Sequence, residues 1–334
     1  DIWIRISKKS YQKGLNSLFW LGRILAWLYK SSFPVIEKIQ VIIYTEKAKV
    51  EELLPMAMDV WDKRDVRART LKDEEVKEFY ACIMCQSFAP SHMCVITPNR
   101  IGSCGSISWF DARAAFNVDP KGPNFPIPKG ECLDSIKGVY EGVNKMAQEK
   151  SLGAIKSISL YSMFDNPHTS CGCFEGIAFF IPEVDGIGIV HRDFKGPTVN
   201  GLTFSAMAGH TSGGTQNPGF NGIAIEYLRS QKFLQSDGGW ERVVWVPSQI
   251  KERVKDSIPE RLLNKVATEA EINPVVSHWK VEEAKEEVKE EAPEIVLPAQ
   301  IPTGIEIPAQ GGLRIILKNV KITAEKIIVK REKK

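Results

Sequence analysis

The sequence lacks a strong excess of either charge and lacks an apolar run long enough to cross a membrane. Its 334 residues carry 44 basic and 41 acidic side chains, a net charge of +3, whereas binding to nucleic acid or a membrane surface favours a basic stripe. The most apolar stretch, Leu15 to Tyr29, contains Arg23 and falls short of the roughly 20 residues that a membrane helix needs. We therefore expect no nucleic-acid partner and no membrane anchor, and we interpret this stretch as an amphipathic core helix.

The sequence also shows no signal peptide, and we expect a cytoplasmic enzyme. Its composition, 43% apolar and 25% charged, is enough for a large core and two domains. Such a chain has little reason to keep seven cysteines unless they bind metal. Six of them form two groups, Cys82, Cys85, Cys94 and Cys104, and then Cys171-Gly172-Cys173. The seventh, Cys132, belongs to neither group and is expected to be a free thiol.

The first cysteine group has the composition of an iron-sulfur site. A Cys-x-x-Cys pair is followed by cysteines at intervals of nine and ten, which supplies the four thiolates that such clusters need. Zinc is the rival, although structural zinc sites more often pair two Cys-x-x-Cys knuckles. Buried reduced cysteines used as small apolar residues are a further alternative. Prolines and glycines between these cysteines favour a folded ligand loop.

The second cysteine group favours a planar metal site. In Cys171-Gly172-Cys173 both sulfurs and the intervening backbone nitrogens can converge on one ion. Square-planar nitrogen and sulfur coordination is the preference of Ni(II) or Cu(II) and does not suit tetrahedral zinc. A redox-active thiol pair or a chance spacing would also explain the motif.

Other motifs give weaker indications. The glycine-rich segment Gly209 to Gly222 has no Gly-Lys-Ser/Thr ending, so we interpret it as a turn-rich wall near the cluster and not as a phosphate loop. The histidines are more often structural than catalytic when they occur singly. They are His92, His168, His191 and His210.

The hydrophobic pattern predicts an α/β fold, mixed α+β, with mixed sheets, flanking helices and the cluster in loops of the main domain. Helices are expected at Thr45 to Leu54, ahead of Pro55, from a capping box at Thr70-Leu71-Lys72-Asp73 to Cys82, at Asp111 to Phe116 and at Ser135 to Lys150. Strands are expected at Ile39 to Tyr44, Ile155 to Tyr161, Ile177 to Ile181, Ile187 to His191 and Val243 to Val246.

The C-terminal part differs in composition from the rest. Val281 to Ala292 holds six glutamates and two lysines, which is typical of a solvated helix or a linker. Beyond it, Leu313 to Leu317 and Ile327 to Val329 predict a small strand pair. The role of this tail stays open, and docking of a partner subunit is one interpretation.

Three segments together resemble the active-site region of acetyl-CoA synthase. They are the stretch from Phe79 to Pro98, then Cys104-Gly105, and then Thr169-Ser170-Cys171-Gly172-Cys173-Phe174-Glu175. The similarity extends from Ile2-Trp3-Ile4-Arg5 to about Trp245-Val246-Pro247 and includes all six ligand positions in order. The family includes the beta subunit of the archaeal acetyl-CoA decarbonylase/synthase complex.

This resemblance implies an A-cluster, a [4Fe-4S] cubane linked to two nickel ions. In this sequence the cubane ligands would be Cys82, Cys85, Cys94 and Cys104, with Cys85 also bridging to the proximal nickel. Cys171 and Cys173 would bridge both nickels, and the backbone nitrogens of Gly172 and Cys173 would complete the distal site. Copper or zinc would also fit the proximal position. Phe88 would form an aromatic wall beside the open position, although an ordinary core role is its alternative.

The resemblance also implies the reaction and its partners. The enzyme would be a CO-methylating acetyl-CoA synthase, an acyltransferase that joins carbon monoxide, a methyl group from a corrinoid iron-sulfur protein and coenzyme A, working with a carbon monoxide dehydrogenase subunit in an anaerobe. Because the chain begins at Asp1 within the family's middle region, we expect a fragment. We divide it into residues 1–75 (the end of the middle domain), 76–280 (the A-cluster domain), 281–295 (an acidic linker) and 296–334 (a strand-forming tail). The alternatives are a [4Fe-4S] electron-transfer or metal-carrier protein and a zinc-stabilised interaction module.

Overall fold

A computed structural model describes residues 8–32 and 37–271, together with two short strands near the C-terminus. The chain divides into two units, Asp1–Glu282 and Glu283–Lys334. All helices and both larger sheets of the described residues belong to the first unit. The mixed α+β class expected from the sequence is confirmed.

Seven α-helices lie in the described part of the first unit. They are α1 (Lys8–Gln12), α2 (Leu18–Ser32), α3 (Lys47–Arg69), α4 (Trp109–Val118), α5 (Glu141–Lys150), α6 (Phe204–Thr211) and α7 (Ser248–Arg253). The helix expected at Asp111 to Phe116 is confirmed as α4, which begins at a capping box between Ser108 and Asp111. Among the residues that the structure covers, no helix combines the length and the apolarity that crossing a membrane requires.

The described strands of the first unit form three sheets. They are β1 (Glu78–Cys82), β2 (Cys94–Ile96), β3 (Asn124–Pro128), β4 (Cys132–Asp134), β5 (Val139–Tyr140), β6 (Gly176–Ile181), β7 (Gly186–His191), β8 (Phe220–Ile223) and β9 (Val243–Trp245). One sheet has the antiparallel order β2-β1-β3, and β4 pairs with β5. The largest has the order β8-β6-β7-β9, in which only β7 and β9 are parallel. The three strands expected at 177–181, 187–191 and 243–246 are confirmed.

Both larger sheets are buried on two faces. In β6, Ile177 and Phe179 pack on the side of α6, whereas Ala178 faces the opposite cluster, which includes α7. In β1, Phe79 faces the cluster that contains α5, and Tyr80 faces α4. This alternation follows from the two-residue period of a strand. This core fixes β1, which ends at Cys82, and β6, which begins three residues after Cys173.

The N-terminal expectations are partly wrong. The stretch Leu15 to Tyr29 does form a helix, α2, but Phe19 and Trp27 are 66% and 70% exposed, so it is not a core helix. Its apolar residues lie on all sides of the helix instead of one stripe, and a single neighbour cannot cover them. Ile39 to Tyr44 forms no strand, because this segment pairs with no strand among the described residues.

Two helix boundaries also differ. The helix expected to stop before Pro55 continues through it as α3, which begins after Glu46 and not at a Thr45 cap. A proline removes one backbone hydrogen bond, and the long run of strong helix formers around it compensates. Thr70 ends α3 instead of starting a helix, and Cys82 is the last residue of β1. The cluster segment therefore starts where a strand stops.

The expectations between residues 135 and 161 are half right. Only Glu141–Lys150 of the helix expected from Ser135 is helical. Ile155 to Tyr161 is buried but irregular, and it forms no named strand. Its backbone bonds to loops and side chains instead, since Ile158 N donates to Asn144 Oδ1 at 3.0 Å and Tyr161 N to Lys137 O at 3.0 Å. The apolar pattern identified burial correctly, but partners distant in sequence decided the backbone conformation.

The second unit contributes two described strands, β10 (Ile305–Glu306) and β11 (Ile316–Leu317), which pair antiparallel. The strand expected within Leu313 to Leu317 is present, but its partner is β10. The acidic segment 281–295 and the strand expected at Ile327 to Val329 lie outside the described residues.

Candidate metal centre

Three cysteines from both sequence groups meet at one point. The Sγ atoms of Cys85, Cys171 and Cys173 all lie within 4.8 Å of one another. Each side chain is partly exposed. Three thiolates this close can share one soft metal ion, which is their preferred partner. The structure thus brings together the two cysteine groups, whose closeness in space the sequence alone does not show.

Cys85 reaches this point because β1 ends three residues earlier. A short 3₁₀ turn, Met84–Ser87, follows β1 and turns the chain sharply. The amides of Phe88 and Ala89 both donate to the Cys85 carbonyl at 3.0 Å. These bonds fix the backbone of Cys85, so its sulfur is held just beyond the end of β1, the central strand of its sheet.

The Cys171-Gly172-Cys173 turn supplies the other two sulfurs just before β6. The Cys173 amide donates to Cys171 Sγ at 3.2 Å, which places a backbone nitrogen beside a sulfur as a planar chelate would need. Gly172 has φ of +120°, a region that favours glycine. A methyl group there would lie 3.4 Å from Ser212 Cβ, an ordinary contact. Glycine is therefore favoured here by its backbone angle and not by lack of space.

The glycine-rich segment supports this turn. Gly214 N donates to Ser170 O at 2.9 Å, and Gly213 N donates to Cys171 O at 3.5 Å. Both glycines have positive φ. The segment therefore lies against the cysteine turn, as the sequence suggested, and its amides bond the protein's own carbonyls.

The three sulfurs titrate as one group. Hydrogen bonds from the thiols of Cys171 and Cys85 lower the pKa of Cys173 to about 2, and the positive charge of Arg192 adds to this effect. The hydrogen bond with Cys173 raises the pKa of Cys171 to about 12. The bond with Cys171 likewise raises the pKa of Cys85. One stable thiolate beside two thiols is a ready starting point for a metal that displaces the remaining protons.

The other three cysteines of the first sequence group, Cys82, Cys94 and Cys104, lie outside the three-thiol site. Cys82 and Cys94 are directly opposite each other on β1 and β2. Burial raises the pKa of both thiols, and the nearby Cys104 raises each further. A cubane separates its thiolates by iron and sulfide, so its ligands stand further apart than the ligands of one ion. The paired Cys82 and Cys94 with Cys104 beside them fit that wider arrangement.

Phe88 and the remaining cysteine are both on the surface. Phe88 follows the turn that carries Cys85 and is 62% exposed. The ordinary core role is therefore wrong, and the side chain is free to line an open site. Cys132 is exposed in β4 and belongs to no group of possible metal ligands among the described residues.

The buried histidines are structural. His168 Nε2 accepts from Val95 N at 2.9 Å, and its Nδ1 lies 2.6 Å from Thr169 O. Burial lowers the pKa of His168 well below the usual value, so the ring is neutral. His92 Nδ1 lies 3.0 Å from Thr169 Oγ1, and burial lowers its pKa to about 4. Both rings brace the loop before Cys171, which agrees with the structural interpretation of lone histidines.

Sequence reasoning missed two side chains that support the centre. Arg64 of α3 donates to Gly105 O at 2.7 Å and to Ser106 O at 3.1 Å. Glu175 is largely buried beside the same loop, and burial raises its pKa. Glu175 carried a signal, since it is a single charge directly before the apolar strand β6. Arg64 carried none, because it lies in a helix with many exposed charges.

The fold and the site together define a mixed α/β protein with a preformed three-thiol site that can hold a metal ion. Residues 61–300 match the family described as the C-terminal part of the ACS/CODH beta subunit, and residues 1–50 match that of the CO dehydrogenase/acetyl-CoA synthase complex beta subunit. The chain therefore belongs to the beta-subunit family of the CO dehydrogenase/acetyl-CoA synthase complex, which confirms the resemblance seen in its motifs.

Individual relatives agree with this assignment. The acetyl-CoA decarbonylase/synthase complex subunit beta of Methanopyrus kandleri is 52% identical over 99% of this chain and 75% of its own length. Subunit beta 1 of Methanocaldococcus jannaschii is 50% identical over 96% of this chain and 46% of its own length. This chain thus spans about half the length of the latter relative. A solved C-terminal domain of an acetyl-Coenzyme A synthase alpha subunit is 37% identical over 33% of this chain and 89% of that domain, with a TM-score of 0.30.

Proposed function

We propose that this chain forms the catalytic metal centre of an acetyl-CoA decarbonylase/synthase. Its reaction would be the CO-methylating synthesis of acetyl-CoA, an acyl transfer that joins carbon monoxide, a corrinoid-bound methyl group and coenzyme A. The observation that carries this proposal is the convergence of Cys85 with Cys171 and Cys173 within 4.8 Å. A plain iron-sulfur carrier would have no need to bring the Cys-Gly-Cys turn to a cubane ligand.

The donor set fits a [4Fe-4S] cluster joined to two nickel ions. Cys82, Cys94 and Cys104 would hold the cubane with Cys85, and Cys85, Cys171 and Cys173 would hold the proximal nickel. The distal nickel would use both sulfurs of the Cys-Gly-Cys turn and the nitrogens of Gly172 and Cys173, and the 3.2 Å approach of Cys173 N to Cys171 Sγ supports this arrangement. When bound, thiolate-ligated nickel would supply an electron-rich metal for joining the carbon fragments. The three-sulfur position would equally accept copper or zinc.

The protein's own contribution is to hold sulfur ligands and to leave one side open. Gly172 is exposed, the three sulfurs are partly exposed, and Phe88 is 62% exposed on the turn that carries Cys85. A methyl donor as large as a corrinoid iron-sulfur protein needs such a site at the surface. A carbon monoxide dehydrogenase subunit would be the second partner, as the description of the matching family, a CO dehydrogenase/acetyl-CoA synthase complex, suggests. Free cysteines of this kind suit the reducing cytoplasm of an anaerobe.

The test is a count of metals after anaerobic purification and reconstitution. We expect about four irons and two nickel ions per chain. Four thiolates suit a [4Fe-4S] cluster, and the Cys-Gly-Cys turn supplies further sulfurs for nickel. Iron without nickel would contradict it in favour of an electron carrier or metal carrier. Zinc alone would contradict it in favour of an interaction module. Acetyl transfer to coenzyme A by the loaded chain with its partner subunits then tests the reaction itself.

A further inference from the structure

Glu175 lies between the two cysteine segments that the centre needs. It follows Cys173 by two residues, and its backbone N–H donates at 3.1 Å to the carbonyl of Ser103, directly before Cys104. Its carboxylate occupies the space beside Gly105, directly after Cys104: a methyl group at Gly105 would lie 2.5 Å from Glu175 Cδ. Glu175, which follows the Cys-Gly-Cys turn, therefore contacts both sequence neighbours of Cys104, Ser103 and Gly105.

Further bonds fix this contact from other directions. Glu175 Oε2 accepts from Ile225 N at 2.8 Å, and the Glu175 carbonyl accepts from Arg192 N at 3.0 Å. From α3, Arg64 donates to the Gly105 carbonyl at 2.7 Å. The Cys104 loop is thus held both by a helix and by Glu175.

The choice of residue is unusual for a position of this kind. Even a partly buried carboxylate is costly unless its oxygens find partners, and an apolar residue of the same volume would fill the space at lower cost. The carboxylate instead fits a position where the facing residue has no Cβ, at a φ of +71°. Gly105 and Glu175 therefore form a matched pair across the two segments.

We propose that Glu175, together with Gly105, positions the Cys104 loop relative to the Cys171-Gly172-Cys173 turn. The pair would set the separation between the cubane ligands and the three-thiol site. Glu175 is a positioning residue here, because it acts through the cysteine segments and its carboxylate contacts no proposed ligand atom. The inference rests on the proposed function for its metals but not for its geometry.

The test is a mutant cycle read out by metal binding. The full chain, reconstituted with iron and sulfide, is titrated with cadmium, a soft ion that converging thiolates bind. The part of the signal that disappears in Cys173→Ser defines the three-thiol site. Glu175→Ala should weaken cadmium binding there about tenfold, the equivalent of about 1.4 kcal/mol, while Glu175→Gln, which keeps the shape and an acceptor oxygen, should restore it.

The matched control is Asp237→Ala. Asp237 is a buried carboxylate that, like the partly buried Glu175, accepts a backbone amide, in its case from Met163 N at 2.6 Å, but it holds no cysteine segment. This variant should lower the melting temperature without changing cadmium affinity. An equal loss of affinity in Asp237→Ala, or none in Glu175→Ala, would overturn the proposal.

Gly105→Ala closes the cycle. It should weaken cadmium binding, and adding Glu175→Ala should recover part of the loss, because the new methyl group then has room. The backbone strain at Gly105 is present in both variants and cancels. Strictly additive losses would refute the matched pair. If the wild-type chain takes up no nickel but the cadmium pattern holds, the proposed function fails and the positioning role stands.

Discussion

Gly172 offers the sharpest perturbation of the turn that we propose to bind nickel. Its φ is +120°, and a Cβ there would meet nothing closer than Ser212 Cβ at 3.4 Å. Gly172→Ala therefore has room but must hold an unfavourable backbone angle, at a cost of about 1–3 kcal/mol. The turn can avoid this cost by relaxing to negative φ, which would move Cys173 N away from Cys171 Sγ. Gly172→Val should relax further, because a β-branched side chain tolerates positive φ even less.

The expected result is a selective loss of nickel. Iron should remain, since Cys82, Cys94 and Cys104 lie outside the altered turn, and the nickel-to-iron ratio should fall in Gly172→Ala and more strongly in Gly172→Val. Metal counting by mass spectrometry after anaerobic reconstitution gives both numbers from one sample. Thermal unfolding of the same samples separates local loss from global unfolding.

Gly153 provides a matched control. Its φ is +85°, no atom lies within 4 Å of the position a Cβ would take, and it lies in the loop after α5. Gly153→Ala should therefore cost similar stability without changing nickel content. An unchanged nickel-to-iron ratio in both Gly172 variants would refute the reasoning, as would an equal nickel loss in Gly153→Ala.

Three further outcomes follow from the described geometry. Serine in place of Cys82, Cys94 or Cys104 should abolish the iron-sulfur absorption and lower the melting temperature, and full iron retention would remove that residue from the ligand set. Phe88→Ala should leave the free energy of unfolding within about 0.5 kcal/mol, because the ring is exposed, yet should alter carbon monoxide binding; normal carbon monoxide binding would exclude the wall role. His168 has a lowered pKa, so the unfolded chain binds the extra proton and stability should fall as pH drops below about 6.5. Urea unfolding at pH 8 and 5.5 should show a smaller fall in His168→Gln, and an equal fall would contradict a neutral buried ring.

Local pattern was sufficient where one element decides its own structure. The side chains of β6, β7 and β9 alternate between two buried faces, and their sequences are rich in β-branched residues. These strands could therefore be predicted from the local sequence. Ile155 to Tyr161 has a similar composition but bonds to Asn144 and Lys137, partners that no local pattern can reveal. The prediction that the helix stops before Pro55 fails for a related reason. The one hydrogen bond lost at Pro55 contributes little beside the other bonds of the long helix α3.

The candidate centre divides in the same way. The cysteines carried their own spacing signal, and the need for glycine at position 172 was visible, although its cause is the backbone angle. The convergence of Cys85 with Cys171 and Cys173 depends on how two separate sheets pack together, because Cys85 follows β1 and the other two cysteines precede β6. The contact between Gly105 and Glu175 likewise depends on two loops that are 70 residues apart in sequence.

The central claim is that Cys85 joins nickel to an iron-sulfur cluster, and nickel-edge X-ray absorption tests it most directly. In the reconstituted parent chain the account expects nickel with sulfur and nitrogen ligands and with iron as a neighbour beyond a shared sulfur. In Cys85→Ser the iron neighbour should disappear, whereas the planar nickel held by the Cys171-Gly172-Cys173 turn should keep its sulfur and nitrogen shell. Nickel bound only by oxygen and nitrogen in the parent chain, or an iron neighbour that persists without Cys85, would contradict it.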